Sequence, residues 1–301
     1  MPAEFAPIAV FAFRRPDHLR RCLAALSAAT GARESQLIVF CDGPRDESDR
    51  ALVERTREVA RAASGFASVE VVEAQRNKGL AASVIEGVTH VLADHENVIV
   101  VEDDLVVSED FLAFMNQGLF LYRDDERVVS IHGFLPAVEA SMPQSFFLRG
   151  ADCWGWATWR ESWQSVNFDG AELLDQLRKH PDRSQFDFGG AYPYLRMLQD
   201  QVDGAVDSWA IRWYASAFLT DRYTLHPGVS LVTNIGMEGS GTHLGDVDAL
   251  RSSAGRLALP LREVPVADNT AARHAIARAF EGKSGPQRWM QRIMRGLRMA
   301  R

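Results

Sequence analysis

The chain has 301 residues, enough for one large α/β domain or for a domain with an appended subdomain. Its 47% hydrophobic and 24% charged residues lie in the globular range, which excludes disordered and fibrous classes. Lys283 to Arg301 holds six basic residues and no acidic one, so setting that segment aside takes the net charge from −7 to −13 and leaves an acidic body unsuited to nucleic acid as a main partner.

Ile8 to Phe13 reads as a first buried strand, and Pro16-Asp17 suits the helix start that follows, with Leu19, Cys22, Leu23 and Leu26 at helical spacing. Leu37 to Cys41 is a second strand, closed by Asp42-Gly43-Pro44, and a polar helix is expected from about Arg45 to Ala63. Val69 to Val72 forms a third strand. Asn77-Lys78-Gly79-Leu80 then leads into a helix carrying Ala82, Ile85, Val88, Val91 and Leu92. Val98 to Val101 is a fourth strand and ends on Glu102-Asp103-Asp104. A helix near 109–122 and a strand near 128–131 come next, after which the alternation fades into a Trp-, Gly- and Pro-rich half. Alternating strands and helices of this kind predict a mostly parallel sheet with helices on both faces.

Cys22, Cys41 and Cys153 are too few and too scattered for a disulfide framework. No apolar stretch approaches the roughly 20 residues that span a bilayer, and the first residues lack the basic region of a leader. The chain therefore reads as cytoplasmic.

In a parallel sheet, ligands collect at the carboxyl ends of the strands. Arg15, Asp42, Asn77 and the acidic triplet all stand directly after apolar runs, where they converge on one crevice. Adjacent carboxylates repel unless a cation is present, so Glu102-Asp103-Asp104 points to Mg²⁺ or Mn²⁺, ions that take one or two carboxylates plus substrate phosphates. The plainer alternative is a solvated acidic turn before a helix. A GxxxxGK[ST] loop, a GxGxxG turn after the first strand, HExxH and GxSxG are all missing, which weakens the readings that depend on them.

The runs Phe13-Arg14-Arg15-Pro16, Phe40-Cys41-Asp42-Gly43 and Val100-Val101-Glu102-Asp103-Asp104-Leu105, with Asp110-Phe111, resemble the GT-A glycosyltransferases. Among these they are nearest to the Golgi N-acetylglucosaminyltransferase that starts complex N-glycans and to bacterial family 2-like transferases. His226-Pro227-Gly228-Val229-Ser230, Asn234-Ile235-Gly236 and Gly241-Thr242-His243 extend the resemblance to about residue 245. It implies a Rossmann-like α/β sheet and a nucleotide site formed by Phe13, Arg15, Asp42, Asn77 and Asp103. In that site Arg15 meets the diphosphate or nucleoside, Asp42 the uracil-type base and Asp103 the ribose, while Asn77 replaces a histidine of the Golgi family. Asp104 is then the metal ligand for Mn²⁺ or Mg²⁺, joined by His243, with Glu102 facing the sugar or acceptor. A hexosyl- or N-acetylhexosaminyltransferase is implied, using a UDP-sugar donor and a glycan or glycolipid acceptor in bacterial surface polysaccharide assembly.

An inverting transferase needs a base near the anomeric carbon. The segment Val206-Asp207-Ser208-Trp209 resembles the Golgi family's Asp-Asp-Trp, which puts the base on Asp207 or, in the other register, on Ser208; a helix N-cap is the structural alternative. Trp154, Trp156, Trp159 and Trp163 cluster after Asp152. One of Trp154 and Trp156 is expected to cover a sugar face, with Asp152 on its hydroxyls, whereas the spacing of Trp156, Trp159 and Trp163 also fits one packed helical face. His243, set among Gly236, Gly239, Gly241 and Gly245, suits a lid over the nucleotide, although a lone histidine is more often structural.

The expected organisation is a nucleotide-sugar-binding half at 1–135, an acceptor-binding and catalytic half at 136–265, and a basic amphipathic tail at 266–301. Trp289, Ile293 and Leu297 are ringed by Arg288, Arg292, Arg295 and Arg298, so 283–301 fits peripheral contact with an anionic membrane or docking on the acidic body. Two competing functions remain: a nucleotidylyltransferase, which would carry a Gly-rich loop after the first strand, and an inactive lectin-like module that keeps the tryptophans.

Overall fold

A computed structural model describes residues 5–236, 250 and 252–281. In chain order the first half runs β1 (Ile8–Ala12), α1 (Pro16–Ala28), β2 (Gln36–Cys41), α2 (Arg50–Arg61), β3 (Ser68–Glu73), α3 (Leu80–Asp94), β4 (Asn97–Glu102), β5 (Leu105–Val107), α4 (Phe111–Leu121) and β6 (Val128–His132). The second runs β7 (Ser145–Arg149), β8 (Trp156–Trp159), α5 (Arg160–Gln164), α6 (Gly170–Lys179), α7 (Arg183–Phe186), α8 (Tyr194–Val202), α9 (Trp209–Leu219), β9 (Tyr223–Pro227), β10 (Val232–Asn234) and α10 (Thr270–Glu281).

Eight strands form one sheet in the order β3-β2-β1-β4-β8-β6-β9-β7. The pairings run six of them in one direction, with β8 and β7 reversed. This is the mostly parallel α/β sheet that the alternation predicted, with the Rossmann-like form that the resemblance implied. Because β8 pairs with β4 on one side and β6 on the other, both halves of the chain share a single sheet. β5 and β10 form a separate antiparallel ribbon.

Strand β1 is buried at every position because helices cover both faces of the sheet. On one face Leu19, Cys22, Leu23 and Leu26 of α1 pack with Phe111 and Phe114 of α4 and with Ile276 of α10. On the other, Val84, Val88 and Val91 of α3 pack with Trp209 and Trp213 of α9 around Trp156. Described residues of the expected tail are thus built into the core: Ala272, Ile276 and Phe280 are buried, and Arg273 is ion-paired with Asp268. Residues 283–301 lie outside the described residues.

Two expectations change. The polar helix expected over 45–63 begins instead at Arg50, after a single tight turn, 47–49, whose start is held by the Asp46 carboxylate on the Ser48 N–H. The helical spacing of Trp156, Trp159 and Trp163 is incidental, since 156–159 is strand β8 and only Trp163 sits on a helix. Pairing with strands on both sides overrides local spacing there.

Candidate functional site

The carboxyl ends of β1, β2 and β4 meet at one edge, because the three strands are parallel neighbours in the sheet. Asp103 ties two of them together, its N–H donating to the Phe11 carbonyl at 3.0 Å and its carboxylate accepting the Phe13 N–H at 3.0 Å. Arg15 turns back over this corner, with Nη1 at 2.9 Å from Asp104 Oδ2 and 3.7 Å from Asp103 Oδ1. Burial, reinforced by the neighbouring Asp104, raises Asp103 to about 7. Burial followed by Asp104 and Asp103 raises Glu102 to about 8. These carboxyls have been withdrawn from water with too little positive charge beside them, an arrangement found at functional sites more often than elsewhere.

Asp42 sits beside this corner at the end of β2, 8% exposed. Its Oδ1 accepts the N–H groups of Gly43 and Lys78, and its Oδ2 accepts the Gly79 N–H and Asn77 Nδ2, at 2.8 to 3.1 Å. A carboxylate offers about four lone-pair sites, and all are engaged, one by the adjacent Gly43 N–H and three in latching the 77–79 loop to the end of β2. Gly43 is required for the approach, since a Cβ there would lie 2.5 Å from the Arg76 backbone. Gly79, at φ +81, turns the loop into α3. Asn77 is thus part of the structure that the carboxylate holds, and Asp42, expected to meet a uracil-type base, has its oxygens taken up by these four donors instead.

A neighbouring cluster was not legible as a site in the sequence. Asp49, 1% exposed, is paired with Arg14 and with Arg45, whose hydrogen bonds are the main reason that its carboxyl is held well below the usual range. Arg14 adopts φ +44 to reach it. The guanidiniums of Arg14 and Arg45 lie 5.9 and 5.4 Å from the Phe13 ring centroid. Phe13 thus presents a ring flanked by two cations beside Arg15 and Asp103.

The β5–β10 ribbon carries the late Asn234-Ile235-Gly236 segment back to the triplet. The Ile235 N–H donates to the Asp104 carbonyl at 2.8 Å, and Gly236 passes so close that a Cβ would lie 2.1 Å from Asp104 Oδ2. His243 and the expected lid lie outside the described residues. Among the described residues no three His, Cys, Asp or Glu side chains converge to hold a metal ion. The donor set nevertheless suits a divalent ion in the way Mg²⁺ and Mn²⁺ usually bind, with Asp104 supplying a carboxylate and a substrate diphosphate the other oxygens. The Arg15 guanidinium, 2.9 Å from Asp104, shows that this carboxylate attracts a positive partner.

The second half of the chain adds groups at the same edge. Trp156, at the start of β8, pairs with Val100 near the end of β4, so the 150–155 loop crosses beside the acidic triplet. Asp152 and Trp154 lie on that loop, Trp154 half-buried against Phe134 with ring centroids 4.6 Å apart. Trp156 is corrected: it is fully buried, 5.4 to 5.6 Å from the rings of Trp163, Trp209 and Trp213, and cannot meet a sugar. Of the two tryptophans, only Trp154 is open to a ligand. The packing of Trp209 on Trp156 brings the start of α9 to this end of the sheet, with Asp207 just before it. The N-cap is Ser208, whose Oγ accepts the Ile211 N–H, so Asp207 is not the cap. Asp207 is exposed, with Arg212 Nη2 at 3.5 Å.

Sequence reading also missed a histidine pair beneath the 150–155 loop. His132 Nε2 accepts the Trp154 N–H at 3.2 Å, so its proton resides on Nδ1, which faces His226 Nδ1 at 3.3 Å and Asp152 Oδ2 at 3.7 Å. Burial pushes both histidines down to about 3 and keeps them neutral. They stand on neighbouring strands 94 residues apart, and no local pattern links them.

A mostly parallel α/β sheet whose carboxyl edge gathers buried carboxylates, arginines and a latched loop carries these groups where ligands of such sheets collect. Residues 2–133 match the family model described as Glycosyltransferase like family 2, so the half from β1 to β6 is a domain like those of that family. Among solved structures, glucosyl-3-phosphoglycerate synthase from Mycobacterium tuberculosis in complex with Mn²⁺, UDP and glucosyl-3-phosphoglycerate is similar at 16% identity and a TM-score of 0.37, over 59% of this chain and 66% of that one. The same enzyme with Mg²⁺ and UDP gives 15% and 0.36, and with UDP alone 15% and 0.38, over the same shares. The chain thus spans slightly less than two thirds of that enzyme's length.

Proposed function

We propose that the protein is a glycosyltransferase that moves a sugar from a nucleoside-diphosphate sugar, of the UDP class, to a hydroxyl of a glycan or glycolipid acceptor, with inversion. The observation that carries this reading is the end of β4, where Glu102, Asp103 and Asp104 are gathered beside Arg15 and next to the Asp42-latched loop. The family 2-like match over residues 2–133 supports it.

In this reading Phe13 and the 77–79 loop receive the nucleoside, Asp103 the ribose and Arg15 the diphosphate. Asp104 would hold Mn²⁺ or Mg²⁺, whose charge would offset that of the diphosphate. Asp207 takes the proton of the acceptor hydroxyl as its oxygen bonds to the anomeric carbon and the bond from that carbon to the diphosphate breaks. The exposure of Asp207 and the capping by Ser208 support assigning the base to the aspartate. Glu102 and Asp152 bind sugar or acceptor hydroxyls. A role in surface polysaccharide assembly, with 283–301 contacting the membrane, rests on the resemblance and on the basic tail.

Calorimetric titration with UDP, with and without Mn²⁺, followed by nucleotide-sugar hydrolysis, tests the reading. Metal-dependent binding and release of UDP are expected. Binding without any turnover would favour an inactive saccharide-binding module, and release of pyrophosphate when UTP and a sugar 1-phosphate are supplied instead would favour a nucleotidylyltransferase. An anomeric configuration retained in the product would overturn the displacement and the role of Asp207.

A further inference from the structure

The turn from β1 into α1 is held by three carboxylates, two at the end of β4 and one at the head of α2. The Phe13 N–H donates to Asp103 Oδ2 at 3.0 Å, Arg15 Nη1 lies 2.9 Å from Asp104 Oδ2, and Arg14 between them is paired with Asp49. Pro16 keeps Arg15 out of the helical region, at φ −125 and ψ 67, so the change of direction falls on Arg14 at φ +44. A side chain in that left-handed region persists only where its surroundings fix it, and such residues gather at functional sites. Asp49 supplies the fixing. It is 1% exposed at the head of α2, where an aspartate ordinarily caps the helix, yet its side chain accepts no N–H of that helix. Its oxygens instead take Arg14 Nη1, Arg45 Nε at 2.7 Å, Arg45 Nη2 at 3.2 Å and the Arg45 N–H at 3.3 Å.

We propose that Asp49 is a positioning residue for the nucleotide: through Arg14 it holds the 13–15 turn, and with it the Phe13 ring and the Arg15 guanidinium, while ligands are bound. The inference rests on the transferase reading above, which assigns Asp103 to the ribose, Asp104 to the metal and Arg15 to the diphosphate. On loading, Arg15 therefore exchanges Asp104 for phosphate oxygens, and of the three carboxylates only Asp49 has no ligand to serve. Its burial and its four donors leave no room for one. The same carboxylate keeps the Arg14 and Arg45 guanidiniums 5.9 and 5.4 Å from the Phe13 ring centroid. Such an anchor matters because a shift of about 1 Å in a group that orients substrate can cost on the order of a hundredfold in rate.

The test is a double-mutant cycle on the full chain, read by calorimetric titration with UDP in the presence of Mn²⁺ and by melting temperature. Asp49→Asn should weaken UDP binding about tenfold. Arg14→Gly should weaken it by a similar factor at little cost in melting temperature, because glycine takes φ +44 without strain and only the tether is lost. In the Arg14→Gly background, Asp49→Asn should then change UDP affinity by no more than about twofold. Full additivity of the two substitutions would overturn the proposal, since Asp49 would then act without Arg14. UDP affinity unchanged in Arg14→Gly would overturn it too, even where Asp49→Asn fails to fold. Failure of UDP to bind the unmodified protein with Mn²⁺ would instead overturn the transferase reading on which the proposal stands.

Discussion

Removing the Asp42 carboxylate should release the 77–79 loop. In Asp42→Ala the N–H groups of Gly43, Lys78 and Gly79 and the Asn77 amide lose their acceptor together. Hydrogen bonds to a charged group contribute about 1.5–3 kcal/mol each, but water reaches the freed donors once the loop opens, so a net cost of roughly 2–4 kcal/mol is expected. At about 2 °C per kcal/mol for a chain of this size, the melting temperature should fall by roughly 4–8 °C. Asp42→Asn separates the contributions. Its oxygen still serves Gly43 and Lys78, but its amide nitrogen opposes the Gly79 N–H and the Asn77 Nδ2, which is held in its orientation by the Gly43 carbonyl at 3.1 Å. About half the loss is therefore expected. Calorimetry gives the melting temperature, amide exchange at Lys78 and Gly79 reports local opening, and UDP affinity should drop at least about tenfold if the loop carries the nucleoside. A folded Asp42→Ala protein with unchanged melting temperature, unchanged protection at these amides and unchanged UDP affinity would refute the argument.

Asp104→Ala should abolish the Mn²⁺ dependence of UDP binding and lower turnover by on the order of a thousandfold, read by titration and product release; metal dependence that persists would count against Asp104 as the ligand. Asp207→Asn should lower kcat by about 10²–10⁴ with little change in UDP affinity, whereas Ser208→Ala should cost about 1 kcal/mol of stability through its cap; the reverse pattern would move the base to Ser208. The buried pair His132 and His226 titrates near 3 in the folded protein and near 6.5 when unfolded, so its stabilising effect is complete above about 6.5 and is lost as pH falls toward 3. Each histidine should contribute up to about 1.4 kcal/mol per pH unit in that window, and urea unfolding of His132→Gln should show a shallower pH slope than the unmodified chain. Trp156→Ala should destabilise the fold by about 3–5 kcal/mol, and saccharide affinity unchanged by the conservative Trp156→Phe would agree with its place in the core.

The β1 to β6 half was legible because its signals are local. Each strand is an unbroken apolar run covered on both faces, and each ends on a polar residue that parallel pairing carries to the same edge. Arg15, Asp42, Asn77 and the triplet were placed at that edge in this way. What each one touches was less accessible, since Asp42 spends its lone pairs on residues about 35 positions later, a pairing that only the fold supplies.

Trp156 shows why the second half resisted. A strand buried on both faces has no alternation to reveal it, and tryptophans at 156, 159 and 163 satisfy a helical template equally well. The choice was made by β4 and β6 on either side, so tertiary pairing overrode the local pattern. The same pairing turns Trp156 inward and leaves Trp154, two residues earlier and outside the ladder, as the indole that can meet a ligand. Asp49 and the histidine pair escaped notice for a related reason. A lone aspartate at the start of a polar helix, or single histidines on two strands, become distinctive only when the fold brings Arg14 and Arg45, or one imidazole and another, against them. Chemistry concentrated at strand ends can be read from one sequence, whereas chemistry assembled across strands needs the register.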